Sequence, residues 1–194
     1  RSMLLLLIVF GIIWGITGFY RVNPQQQGVV LRFGEWVRTS PPGLHYHLPF
    51  PVESVLTPEV TRDNRIEIGF RDVSGNLSSR RDIADESQMI TGDENIVDVQ
   101  LLVQYDIKSP TDYLFEAVDP SGSLIKDATE TALRQVVGSS SIDTVIIERE
   151  IIQSDTKQKL QELLDDYSSG IRVTEVKLQG VNPPDEVKPA FADV

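Results

Sequence analysis

Hydrophobic and polar positions change rhythm several times along the chain, and each change predicts a different kind of element. Residues 3–20 (MLLLLIVFGIIWGITGFY) carry no charge and no polar stripe. As a helix this run would be roughly 27 Å long, close to the thickness of a bilayer's hydrocarbon core. Arg1 and Arg21 bracket it, and Tyr20 stands where an interfacial aromatic belongs, so Tyr20 and Arg21 are the expected membrane-interface residues. The run reads as a membrane anchor. Its alternatives are a signal peptide, whose apolar stretch would be shorter and followed by a small-residue cleavage site, and a buried core helix, which would usually show a polar stripe. Gly11, Gly15 and Gly18 recur at i, i+4 and i+7 and would share one helix face. The Gly11/Gly15 spacing is one that lets a second membrane helix approach closely, although glycine is also common in membrane helices generally.

After Asn23 and Pro24 the rhythm shortens to two. Residues 28–33 (GVVLRF) read as a strand, Gly34 and Glu35 as a turn, and Pro41-Pro42-Gly43 as a break before a strand over 44–48 that Pro49 and Pro51 end. Residues 52–60 and 65–70 predict two further strands, and the polar stretch 72–86 an exposed loop. The clearest alternation runs over 95–107, where Val97, Val99, Leu101, Val103, Tyr105 and Ile107 would line one face.

Ser109-Pro110 and Asp119-Pro120 then place cap residues ahead of proline, each a helix start, giving a short helix over 111–118 and a second one striped by Ile125, Ala128, Ala132 and Val136 to near Gly138. A single helix is expected over 142–169, with Val145, Ile152, Thr156, Leu160, Leu163 and Tyr167 on one face and Gly170 as its stop. Residues 171–181 return to strand with an apolar phase shift between Val173 and Val176, which predicts a bulge. Asn182-Pro183-Pro184-Asp185-Glu186 sets proline and acids at the start of one more helix, expected to be cut short at the chain end, as the first residue, Arg1, suggests for the other end. The expected class is α+β: an anchor (1–22), a β-rich half (23–108), an α/β half (109–181) and the start of a helical region (182–194).

Composition removes several functions. The chain of 194 residues has a formal charge of -11 without a basic cluster, which disfavours nucleic acid and anionic head groups. It has no cysteine, so disulfides, thiolate nucleophiles and cysteine zinc sites are out. Its two histidines, His45 and His47, lie on one face of a predicted strand, but a metal would need a third ligand from an Asp or Glu elsewhere. A hydrolase would have to use one of them as base, and no G-x-S-x-G elbow is present. Glycine-rich nucleotide fingerprints are absent, and the sequence implies no cofactor. Thr91-Gly92-Asp93-Glu94-Asn95 offers oxygen ligands at the wrong spacing for a calcium loop and reads better as a turn. Ser74-Gly75 and Ser139 to Ser141 read as loop and cap residues, and Asn76-Leu77-Ser78 is a formal glycosylation sequon.

Five stretches taken together resemble a known family: NPQQQGVVLRFG (23–34), GLHYHLPFP (43–51), TGDENIVDV (91–99), DIKSPTDY (106–113) and QGVNPPDEVKPAF (179–191). In this order they are similar to the HflK/HflC family of the SPFH (band 7) superfamily, with the glutamine triplet, the HLPFP segment and TGDEN nearer its HflK side. The resemblance implies an SPFH domain on the periplasmic side of a bacterial inner membrane, behind one membrane helix with a cytoplasmic N-terminus. It implies a non-enzymatic scaffold that joins further copies of itself and an HflC-like partner subunit in a ring or cage around the AAA+ protease FtsH. A stomatin- or prohibitin-like membrane organiser without a protease partner is the alternative.

Overall fold

A computed structural model of the chain describes residues 2–62, 64–72, 80–115 and 123–182. Helix α1 (Ser2–Ile16) is 15 residues long, roughly 22 Å, and among the described residues no helix is long and apolar enough to cross a membrane. The helix expected to reach Tyr20 therefore stops four residues early. Its last turn tightens as the Thr17 and Gly18 amides donate to the Trp14 and Gly15 carbonyls. The next residues are claimed by a sheet instead: β1 (Phe19–Val22) pairs antiparallel with β4 (Gly43–Tyr46). Gly18 is thus outside the helix whose face it was expected to share.

A three-stranded antiparallel sheet, β3–β2–β5, lies beside this pair and is built from β2 (Gly28–Arg32), β3 (Glu35–Ser40) and β5 (Glu53–Leu56). Val22, Val29 and Val30 are buried in this half. Phe33 and Gly34 make the β2–β3 turn with φ of 52° and 92°, and only the glycine adopts this region without steric cost.

The rest of the chain is organised around β10 (Ile96–Ile107), the strand that alternation predicted. Val97, Val99, Leu101 and Val103 are fully buried, each worth about 1.5–3 kcal/mol of apolar burial. Along one edge of β10 run β6 (Asn64–Ile68) and β9 (Gln88–Ile90). Between them lie the β7 (Phe70–Asp72) and β8 (Arg80–Asp82) pair and the short α2 (Ala84–Ser87), where a plain loop was expected. After α3 (Pro110–Phe115), helix α4 (Ser123–Gly138) packs on the sheet through Ile125, Ala132, Leu133 and Val137.

The long helix expected over 142–169 is broken at Glu148 (φ −96°, ψ 50°) into α5 (Ile142–Ile147) and α6 (Arg149–Asp166). In α6 Leu164 is buried, whereas Tyr167, expected on the core face, is half exposed beyond the helix end. β11 (Ile171–Asn182) pairs with the other edge of β10, and its register slips twice, so that Thr174 and Gln179 have no opposite residue. The first slip is the predicted bulge. The outer edge of β11 is covered by α6, whose Gln153, Lys157 and Gln161 side chains bond to the backbone of Leu178, Thr174, and both Ile171 and Val173. That removes the free edge on which another strand could pair. The helix expected beyond 182 lies outside the described residues, as do Ser74, Gly75 and Asn76.

Candidate membrane-docking site

The functional features converge where α1 meets the β-rich half. Alternation along β1 and β4 divides their side chains between two faces. On the inner face Val22 is buried. Tyr20 donates its hydroxyl to Ser40 Oγ at 2.8 Å, and its ring lies 5.8 Å from that of His45 and 5.3 Å from that of His47. Tyr20 is thus tied into the body, while Arg21 is exposed on the outer face.

Each histidine is spent locally. His45 Nε2 donates to the Pro41 carbonyl and His47 Nδ1 to the Leu48 carbonyl, both at 2.7 Å. Among the described residues no group of three acidic or histidine side chains could hold a metal.

Apart from Arg21, the outer face is apolar. Phe19 packs edge-on against Tyr46 with ring centroids 5.2 Å apart, and Leu44 is paired with Arg21 across the strands. Next to them the 48–52 loop presents Leu48 and Phe50, the latter 80% exposed. Phe33, 77% exposed at the β2–β3 turn, adjoins this loop because its amide donates to the Val52 carbonyl. These residues form an apolar rim at the point where α1 leaves the body. Sequence reading missed it, although large aromatics in turns, where polar residues and glycine prevail, were the available signal.

The end of α1 and the junction behind it are held to the body by three contacts. Trp14 Nε1 donates to the Phe50 carbonyl at 3.0 Å, and His47 N donates to the Gly18 carbonyl at 2.9 Å. Gly18 itself is buried under β4: a Cβ there would lie 2.2 Å from the His47 carbonyl oxygen and 2.7 Å from the Tyr46 ring. Gly11 and Gly15 differ, with open space around them. Glycine at 18 therefore serves the junction between helix and strand.

Beneath the rim, Glu53 has a side chain only 1% exposed. Its carboxylate accepts from Arg32 Nη2 at 2.8 Å, Arg38 Nη2 at 3.4 Å and the Leu48 amide at 2.9 Å. Burial alone would push its pKa up, but the Leu48 amide and the two guanidinium groups outweigh burial and hold it below the usual 4.5.

The TGDEN turn has a structural role. Asp93 accepts from Thr91 Oγ1 at 2.5 Å and from the Ile142 amide at 3.1 Å, joining the β9–β10 turn to the start of α5, and the Thr91 hydroxyl and Ile142 amide hold its pKa down. Ser141 caps the same helix by accepting from the Thr144 amide.

An apolar helix set on an apolar rim stands in front of an α/β body of the SPFH type. Residues 20–194 match the SPFH domain / Band 7 family, and the chain belongs to that family. It is 36% identical over 183 residues to the "Modulator of FtsH protease HflK" of Escherichia coli K12 and 37% identical over 183 residues to "Protein HflK" of Buchnera aphidicola subsp. Acyrthosiphon pisum. These alignments take in 94% and 93% of the chain but only 39% and 40% of those proteins. "Protein HflK" of Treponema pallidum is 38% identical over 200 residues, 96% of the chain and 61% of that protein.

Proposed function

We propose that this chain is the membrane-proximal part of a non-enzymatic, HflK-like scaffold of a bacterial inner membrane. In this reading α1 sits in the bilayer with its N-terminus cytoplasmic, and the body lies against the periplasmic surface. The scaffold assembles with further copies and an HflC-like partner, and it modulates FtsH, as the name of the Escherichia coli relative says of that protein.

The carrying observation is the rim. Phe19, Leu44 and Phe50 expose apolar surface beside the exit of an all-apolar helix, where lipid rather than water would cover it. The two-residue junction, with no flexible linker, favours a fixed orientation of the body over the bilayer. Tethering in a plane raises the effective concentration of neighbours, so modest lateral contacts suffice for a ring. A charge of -11 on each copy disfavours packing of identical faces and favours alternation with a partner subunit.

The test is the mass of the detergent-extracted protein with and without an HflC-like partner, together with recovery of FtsH. A large hetero-assembly that retains FtsH is expected. A stable monomer in both cases would remove the assembly reading. An assembly that recovers no FtsH would favour a stomatin-like organiser.

A further inference from the structure

Among the described residues Glu53 has no hydrogen bond or ion pair to α1, yet two of its three partners lead there. Its carboxylate receives the Leu48 amide, the first residue of the 48–52 loop. Arg38, which reaches Glu53 with one Nη2 contact, gives the same nitrogen to the Tyr46 carbonyl at 2.9 Å, two residues before that loop. Arg32 holds Glu53 from β2 through Nε at 3.1 Å and Nη2 at 2.8 Å. The far side of the loop is fixed by Val52, whose carbonyl takes the Phe33 amide and whose amide donates to the Pro49 carbonyl at 3.1 Å. The free tip, Phe50, offers its carbonyl to the Trp14 indole. A loop of this length would ordinarily sample several conformations; here one buried charge with three donors selects one of them.

We propose that Glu53 is the positioning residue that sets the angle between α1 and the body, acting through the 48–52 loop on the Trp14–Phe50 contact. This deepens the membrane reading and rests on it for its consequence: a fixed helix angle becomes a fixed tilt of the body over the bilayer, which a closed ring requires of every copy. Replacing Glu53 would leave the sheets intact and loosen the angle.

The chain contains no cysteine, so two introduced ones report a single distance. Spin labels at Ile8→Cys and Lys108→Cys span helix and body, and labels at Glu35→Cys and Lys108→Cys lie within the body. Pulsed dipolar distance distributions of the full chain are recorded in detergent and in lipid nanodiscs. The expected result is a narrow helix–body distribution that broadens and shifts in both Glu53→Gln and Trp14→Phe, while the within-body distribution stays unchanged. Glu53→Gln should add no further broadening in the Trp14→Phe background.

A helix–body distribution already broad in the wild type, or one unchanged by Glu53→Gln, overturns the proposal. If Glu53→Gln also disturbs the within-body pair, Trp14→Phe decides, since it removes the indole donor without touching Glu53 or its partners: an unchanged distribution there overturns the proposal. Vesicle flotation of the same samples separates the two readings. A chain that stays out of vesicles refutes the membrane reading, while the detergent distances still decide this one.

Discussion

The Gly18 carbonyl accepts the His47 amide at 2.9 Å, and the Gly18 Cα sits so close to β4 that a methyl group would fall 2.2 Å from the His47 carbonyl oxygen. No real side chain tolerates that distance from backbone, so Gly18→Ala must push α1 away from β4. Overpacking of this kind costs about 1–3 kcal/mol. The expected outcome is a lower unfolding midpoint and faster proteolysis between residues 16 and 19. Wild-type resistance would show that the junction is looser than described.

Gly11 and Gly15 give the contrasting expectation. Nothing lies within 4 Å of a Cβ at either position, so Gly11→Ala and Gly15→Ala should not lower the monomer's stability. If these glycines serve helix packing in the bilayer, as their spacing allows, adding two methyl groups weakens association between α1 helices. Energy transfer between labelled copies in vesicles measures this. Unchanged transfer in the double variant would assign Gly11 and Gly15 no packing role.

Acid should act on Glu53 and Glu86. Glu86 is raised by burial but lowered more strongly by Lys126, Arg71 and the Gly69 amide, and like Glu53 it lies below its ordinary 4.5. A carboxylate whose folded-state pKa is depressed contributes stability that is present above the unfolded value. That stability is lost as pH falls through the folded value. Thermal unfolding between about pH 7 and about pH 3 should therefore show a midpoint that drops only below about 4.5. Glu53→Gln should start lower at neutral pH and fall less steeply. An equal slope in that variant would mean that the Glu53 carboxylate is not linked to folding.

The Thr156 hydroxyl is fully buried in α6 and has no hydrogen-bond partner among the described residues. Thr156→Val keeps the shape and removes an unpaid desolvation cost, a gain of about 1 kcal/mol, or about 2–4 °C in Tm. Thr129 is equally buried but donates to the Ile125 carbonyl at 2.6 Å, so Thr129→Val should gain less. Equal shifts in both variants would contradict this reading of the core.

Much of the body was legible because burial leaves a periodic trace. Burial alternates along β10 from Ile96 to Gln104, and the Thr174 bulge shows as a phase shift between Val173 and Val176. The second slip, at Gln179, leaves the same kind of trace, since Leu178 and Val181 are also three apart, but the expectation placed only one bulge in this strand. The break at Glu148 was invisible for the opposite reason: Val145 and Ile152 stay in helical phase across it, and both are buried. β1 was hidden because Phe19 and Tyr20 continue the greasy run; only pairing with a strand more than twenty residues later reveals the change. The TGDEN turn was recognisable as a turn, but not as a partner of Ile142, 49 residues along the chain. The rim needed the same long-range knowledge, since Phe33 and Phe50 meet only through Val52.

The most direct measurement is flotation of the intact chain with lipid vesicles after an alkaline carbonate wash, repeated with Phe19→Ser/Phe50→Ser. Wild-type protein is expected in the lipid fraction, with the variant held by α1 alone and washed off more readily. Wild-type protein left at the bottom of the gradient would contradict the placement of α1 and its rim in the membrane.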